Sequence, residues 1–400
     1  MTGHAKFAPS AAHRWMRCTG SVEAEGVSDD HPSRYAAEGT VAHHVGTVWL
    51  KGGLLAAEAL LGNTIVQDGF EIEVTAEMLD FVREFVVLVT KYGDGGTILI
   101  DKRVDFSPYV GVPDQKGTLD AGVIGPNRLV VIDLKYGMGV KVDAEDNEQM
   151  QLYALGMISD FGSIIDFSDI EEVVLVIHQP RLHHISEYKM SVNALLAFGQ
   201  KAKEKAAEAL DPALRRLVPG EKQCMFCKAK ATCPALRNEV SNAMVKVASA
   251  ADFADLSQAH PEDLGTAMAK VNMVEDWCKA IRSETEIRLL KGQSVPGYKL
   301  VEGRRGNRAW ADEKKAEELL KSLRYTRDEM YTQKVISPTT CEKLMKPSPK
   351  HWAKVEDLIT RADGKPSVAP ISDKRPALVV SNADSFRDLA ELVSSNNNEE

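Results

Sequence analysis

The chain has 400 residues, 44% of them hydrophobic and 27% charged, with a formal net charge of -9 at pH 7. That length exceeds one small core and implies two or three folding units, while the composition is that of an ordinary globular protein. The acidic balance excludes indiscriminate coating of nucleic acid but not a local basic groove.

The N-terminus MTGHAKFAPSAAHRWMRC lacks the apolar centre of a secretory signal, and no apolar run reaches the length of a bilayer span, so a cytoplasmic protein with no membrane partner is expected. PSAAHRWMRCTG (9–20) predicts a short capped helix with Trp15 packed inward and Cys18 at its end. SRYAAEGTVAHHVGTVWL (33–50) has helical spacing, with Tyr35, Val41, Val45 and Val48 in an apolar stripe and His43 three residues beyond Thr40. A Thr cap, amphipathic spacing and a glycine stop predict a helix from Thr75 to Gly93, and a strand follows from Thr97. Two more strands, joined at Gly125-Pro126-Asn127, carry Asp120 and Asp133-Leu134-Lys135, and a helix near 147–158 carries Gln149 and Tyr153. EEVVLVIHQ (171–179) reads as a buried strand and HHISEYKMS (183–191) as a half-exposed one. Helices are predicted over about 193–210 and Pro261–Leu290, and YKLVEGRRGNRAW (298–310) reads as a hairpin with Arg304, Arg305 and Arg308 near its turn. The expected architecture is α/β, of the α+β type, with a central mixed sheet flanked by helices and a mostly helical C-terminal region.

Asp133 and Lys135 lie two apart on one strand, so both point to the same face, with Asp120 expected on the neighbouring strand. Two carboxylates beside an ammonium suit metal-dependent hydrolysis: Mg²⁺ or Mn²⁺ takes hard oxygen ligands, polarises a phosphoryl oxygen and lowers the pKa of water. Asp120, Asp133 and the Leu134 carbonyl are the candidate ligands. Lys135 would orient or deprotonate water, or neutralise charge on a phosphate. Gln149 and Tyr153, four apart, share a helical face toward the same place.

This constellation resembles the PD-(D/E)xK nuclease core, in the branch of RecB-type and AddB-type nuclease domains and CRISPR-associated iron-sulfur exonucleases. In that branch a Gly-Thr-x-x-His helix supplies a further metal ligand; GTVAH matches it with His43. PSAAHRWMRC matches the branch's opening Pro-Ser, aromatic and Cys segment. The likeness covers roughly residues 5 to 240 and extends to phage and prophage proteins with this core; the first motif departs from it, being Gly-Thr-Leu-Asp where Pro-Asp is usual. It implies a restriction-endonuclease-like core and a metal-dependent DNA exonuclease of phage recombination or replication. It also implies a host-cell cytoplasmic setting, DNA as partner, and a phage single-strand-binding or annealing protein as a second one.

Cys224, Cys227 and Cys233 follow a Cys-x₂-Cys-x₅-Cys spacing. In the resembling branch such a triplet joins a remote cysteine, here Cys18, to hold a [4Fe-4S] cluster as a structural staple. By spacing alone four cysteines serve Zn²⁺ equally well. Cys278 and Cys341 lie outside the pattern and are expected to be buried thiols. The domains are expected at 1–240 (nuclease core), 241–380 (helical, with the basic hairpin gripping DNA phosphates through its arginines) and 381–400 (a frayed tail). The competing reading is a non-catalytic nucleic-acid-binding or assembly module stapled by the metal group.

Overall fold

A computed structural model describes residues 5–26, 33–250, 261–299, 301, 313–324, 326–331, 338–346, 349–355 and 358. Arg304, Arg305 and Arg308, with the tail from 381, lie outside the described residues. The chain divides into two compact units, 1–302 and 303–400.

The first unit begins with the short helices α1 (Ala12–Trp15) and α2 (Ser21–Gly26), then α3 (Arg34–Gly52) and α4 (Leu54–Glu58). The Ser33 hydroxyl accepts from Ala36 N and starts α3. Val41 and Val45 are buried as the spacing predicts, but Tyr35 is 80% exposed, because in the first turn of α3 it precedes the helix's contact with the core, where Ala37 and Ala42 are buried instead.

A two-stranded hairpin follows, β1 (Thr64–Gln67) and β2 (Phe70–Glu73), which the sequence reading passed over. Its signal was Asp68-Gly69, both residues having positive φ (51° and 83°), as a tight hairpin turn requires. Next come α5 (Ala76–Gly93), β3 (Thr97–Asp105), α6 (Ser107–Val110), β4 (Lys116–Ile124), β5 (Arg128–Leu134), α7 (Glu148–Phe161), β6 (Glu172–Gln179), β7 (His184–Met190) and α8 (Val192–Leu210). Thr75, Asn147 and Ser191 cap α5, α7 and α8 through their side-chain oxygens.

The five long strands form one mixed sheet in the order β3-β4-β5-β6-β7. Only β5 and β6 are parallel, and α7 lies in the crossover that a parallel pair needs. Leu129 and Val131 on β5, with Val173, Leu175 and Ile177 on β6, join α7 and α8 in one core. Val130, Ile132, Leu134, Val174 and Val176 join Phe85 and Val89 of α5 in another. Both faces are therefore covered, which is why these strands read as continuous apolar runs.

His178, at the C-terminal end of β6, is buried, stacked near the Phe85 ring, and its Nδ1 meets no hydrogen-bond partner among the described residues. Burial pushes its pKa down from 6.5 to about 4. The half-exposed Glu84, 3.9 Å from Nε2, is too distant and too hydrated to hold a proton there. The folded state thus keeps His178 neutral where the unfolded chain would protonate it. Stability is full above pH 6.5 and declines as pH falls from there toward 4, by up to about 3 kcal/mol. His178→Leu is expected to flatten melting temperature against pH in that window; an unchanged slope would rule this histidine out as the cause.

Beyond α8 come α9 (Glu221–Cys224), α10 (Pro234–Ala250) and α11 (Pro261–Leu290). Residue 240, where composition changes, falls inside α10. Leu236 and Val240 pack with Met273 of α11, and Cys224 and Cys233 border this small core. Cys278 and Cys341 are half-buried rather than buried. In the second unit the described residues form α12 (Glu313–Ser322), α13 (Arg327–Met330), α14 (Pro338–Met345) and α15 (Pro349–Trp352).

Candidate functional site

Seven of the residues singled out from the sequence gather where the middle of β4 meets the end of β5, beneath α3 and α7. On β3 the residue facing Asp120 is Asp101, which has φ 51°, and the ladder lacks a pair there, between Ile100↔Ala121 and Lys102↔Leu119. Leu119 and Ala121, two apart, consequently enter different cores. Asp120 sits at that twist. Its Oδ2 accepts from the Leu134 amide at 2.7 Å, and its Oδ1 lies 2.8 Å from His43 Nδ1, carried in by α3.

Asp133 is 3% exposed, its carboxylate turned toward α7. The Gln149 side-chain amide donates to Asp133 Oδ1 and to the Tyr153 hydroxyl, both at 3.2 Å, while its oxygen accepts from Lys135 Nζ at 3.0 Å. Gln149 therefore ties three of the predicted residues together, which its one-turn offset from Tyr153 permits. Tyr153 is 6% exposed with its hydroxyl turned to Gln149, a support rather than a surface for ligand. Lys135 Nζ lies 3.0 Å from Asp133 Oδ2. This ion pair is what meets the buried Asp133 Oδ2, which has no other partner among the described residues.

Electrostatics follow from this crowding. Burial pushes the Asp133 carboxyl above the ordinary range, with Lys135 opposing and Asp120 adding to the rise. For Lys135 burial works against charge, but Asp133 and Asp120 outweigh it and hold the ammonium. For His43 burial likewise opposes protonation, and the charge and hydrogen bond of Asp120 prevail, raising its pKa.

Two neighbouring carboxylates, one buried and matched by a single ammonium, suit a hard cation. Among the described residues, however, no three His, Cys, Asp or Glu side chains already converge as a metal ligand set. His43 and Asp120 satisfy each other, so a cation would have to compete with that pair.

Gly117 shows why the strand leading to Asp120 carries glycine. A Cβ there would sit 2.8 Å from Pro9 Cγ and 2.8 Å from Tyr153 Cε1, both parts of rings that cannot retract. Gly117→Ala is expected to cost about 1–3 kcal/mol and to displace Tyr153 and with it Gln149. A thermal melt matching wild type would refute this.

Three residues around the site escaped sequence reasoning. Arg181 lies over the Tyr136 ring at 4.9 Å and pairs with Glu38 at 3.2 Å, so one guanidinium links α3 to the residue after Lys135. No local pattern could reveal this, since the partners lie 143 residues apart.

The four predicted cysteines line a single cavity of about 20 Å³, together with Arg14 and Ser21. All four are free thiols. Hydrogen bonds already stitch the N-terminal segment to the chain after α8: Gly20 N to the Arg216 carbonyl at 2.8 Å, Arg216 N to Thr19 Oγ1 at 2.9 Å and Val218 N to Cys18 Sγ at 3.3 Å. The sulfurs of the four cysteines are soft donors of the kind iron-sulfur or zinc takes, although among the described residues no three of them already form a metal-holding group. Burial raises the Cys18, Cys224 and Cys227 thiols above their ordinary pKa.

Among known proteins, a family model described as "Protein of unknown function (DUF2800)" matches residues 4–376. A solved structure described as the crystal structure of SSO0001 is 18% identical over 40% of this chain and 72% of that one, at a TM-score of 0.23, too low to support an inference.

Proposed function

This chain belongs to the DUF2800 family, and for it we propose a metal-dependent deoxyribonuclease of the PD-(D/E)xK type, acting on DNA ends. The observation that supports this most is the buried Asp133 carboxylate, paired with Lys135, networked to it again through Gln149 and set beside Asp120. Two carboxylates share the one Lys135 ammonium here, which leaves net negative charge for a cation to meet.

When bound, Mg²⁺ or Mn²⁺ would polarise the phosphodiester and make hydroxide available near neutral pH. Asp133 and Asp120 would hold it, with the Leu134 carbonyl and His43 completing the set. Lys135, kept as an ammonium, would neutralise charge on the phosphate and orient water rather than remove its proton. Gln149, anchored by Tyr153, would keep both Asp133 and Lys135 in place. The action on ends and the setting in phage recombination rest on family resemblance alone.

A second reading, a non-catalytic nucleic-acid-binding or assembly module, is favoured by the mutual pairing of His43 and Asp120 and by the lack of a converged ligand set among the described residues. End-labelled linear and circular DNA, incubated with the full chain and Mg²⁺ or Mn²⁺, separates the two. Loss of the linear substrate supports the exonuclease; binding without cleavage of single- or double-stranded DNA would sink it.

A further inference from the structure

Ser21 is 2% exposed, yet its Oγ has no hydrogen-bond partner among the described residues. Burying a hydroxyl without a partner costs about 1–3 kcal/mol, so such a group calls for an explanation. Its surroundings provide one, because Ser21 lines the same cavity as Cys18, Cys224, Cys227 and Cys233. Its backbone N–H is already engaged with the Cys18 carbonyl at 2.9 Å, which fixes the residue close to that cysteine in the chain while leaving the hydroxyl unspent.

We infer that the Ser21 hydroxyl donates a hydrogen bond to a sulfur of the metal group bound by the four cysteines. This rests on the reading of those cysteines as metal ligands. Four thiolates bring excess negative charge into a buried place, and a donor aimed at sulfur offsets part of it. Arg14 acts in the same direction at Cys224: its buried side chain borders the cavity and its charge favours that thiolate, while at Cys227 its Glu25 partner, 2.8 Å away, opposes it more strongly. Ser21 is thus a positioning residue that makes no bond to the metal itself.

The test is Ser21→Ala in the full chain, purified anaerobically. Analysis of iron, acid-labile sulfide and zinc first identifies the group, iron with sulfide meaning a cluster and zinc alone a single ion. The variant is then expected to release its metal to a chelator about ten- to a hundredfold faster than wild type. In the metal-free form it should melt at the same temperature or higher, because no hydrogen bond is lost. An unchanged release rate overturns the assignment. So does an equal fall in melting temperature with and without metal, which marks a hydroxyl of structural use only. Wild-type protein carrying neither iron nor zinc fails differently, by removing the ligand reading beneath the proposal.

Discussion

Asp133→Asn is expected to slow degradation of linear DNA by roughly a thousandfold, equivalent to about 4 kcal/mol of transition-state stabilisation. The substitution keeps the shape that Gln149 and Lys135 pack against and removes only the charge that would hold the cation. The fold should survive. Burial already raises the Asp133 carboxyl, but Lys135 loses a partner that holds its ammonium, so the metal-free variant is expected to melt somewhat below wild type. Melting temperature supplies a readout independent of catalysis. Mn²⁺ should raise it in wild type by preferential binding to the native state, and should fail to do so in the variant. A variant that degrades DNA at the wild-type rate would exclude Asp133 from the chemistry, whatever the fate of the fold.

Replacing any one of Cys18, Cys224, Cys227 or Cys233 by Ser is expected to abolish metal retention, whereas Cys278→Ser and Cys341→Ser should retain it fully. The four line one cavity although Cys18 stands some two hundred residues from the others, so a group held by all of them closes a very long loop. Closing such a loop restricts the unfolded chain, and metal binding free energy becomes folding free energy; for structural zinc that is of order 10 kcal/mol. Loss of the group should therefore lower the melting temperature of the first unit by ten degrees or more. The stitching of Gly20 and Thr19 to Arg216 would remain, so the N-terminal segment should loosen rather than detach, which limited proteolysis would register. Full metal content in the Cys18→Ser protein would remove that residue from the ligand set.

Much of the framework follows from local chemistry. Ser33, Thr75, Asn147 and Ser191 announce their helices because a short side-chain oxygen can satisfy an amide at a helix start. The apolar runs of β5 and β6 announce a sheet covered on both faces, and the two-residue step from Asp133 to Lys135 places both on one side. The same logic found Gln149 and Tyr153 on one helical face and grouped Cys224, Cys227 and Cys233 by their spacing, while Cys18 was joined to them only through the family resemblance. It could equally have found the β1–β2 hairpin, whose Asp68-Gly69 turn is a local signal.

What only the tertiary structure decided depends on contacts between residues distant in the chain. The twist at Asp101 that aims Asp120 between His43 and the Leu134 amide arises where two strands meet, and neither strand encodes it alone. That Asp133 is buried with its two oxygens met by Lys135 and Gln149 depends on how α7 packs beside β5. The clamp of Arg181 on Tyr136 and Glu38, and the unspent hydroxyl of Ser21 beside four thiols, are likewise invisible to periodicity. Local patterns set which face a side chain occupies; the direction of a hydrogen bond and the burial of a charge are properties of the packed whole, because each depends on what the rest of the chain leaves within 3–4 Å.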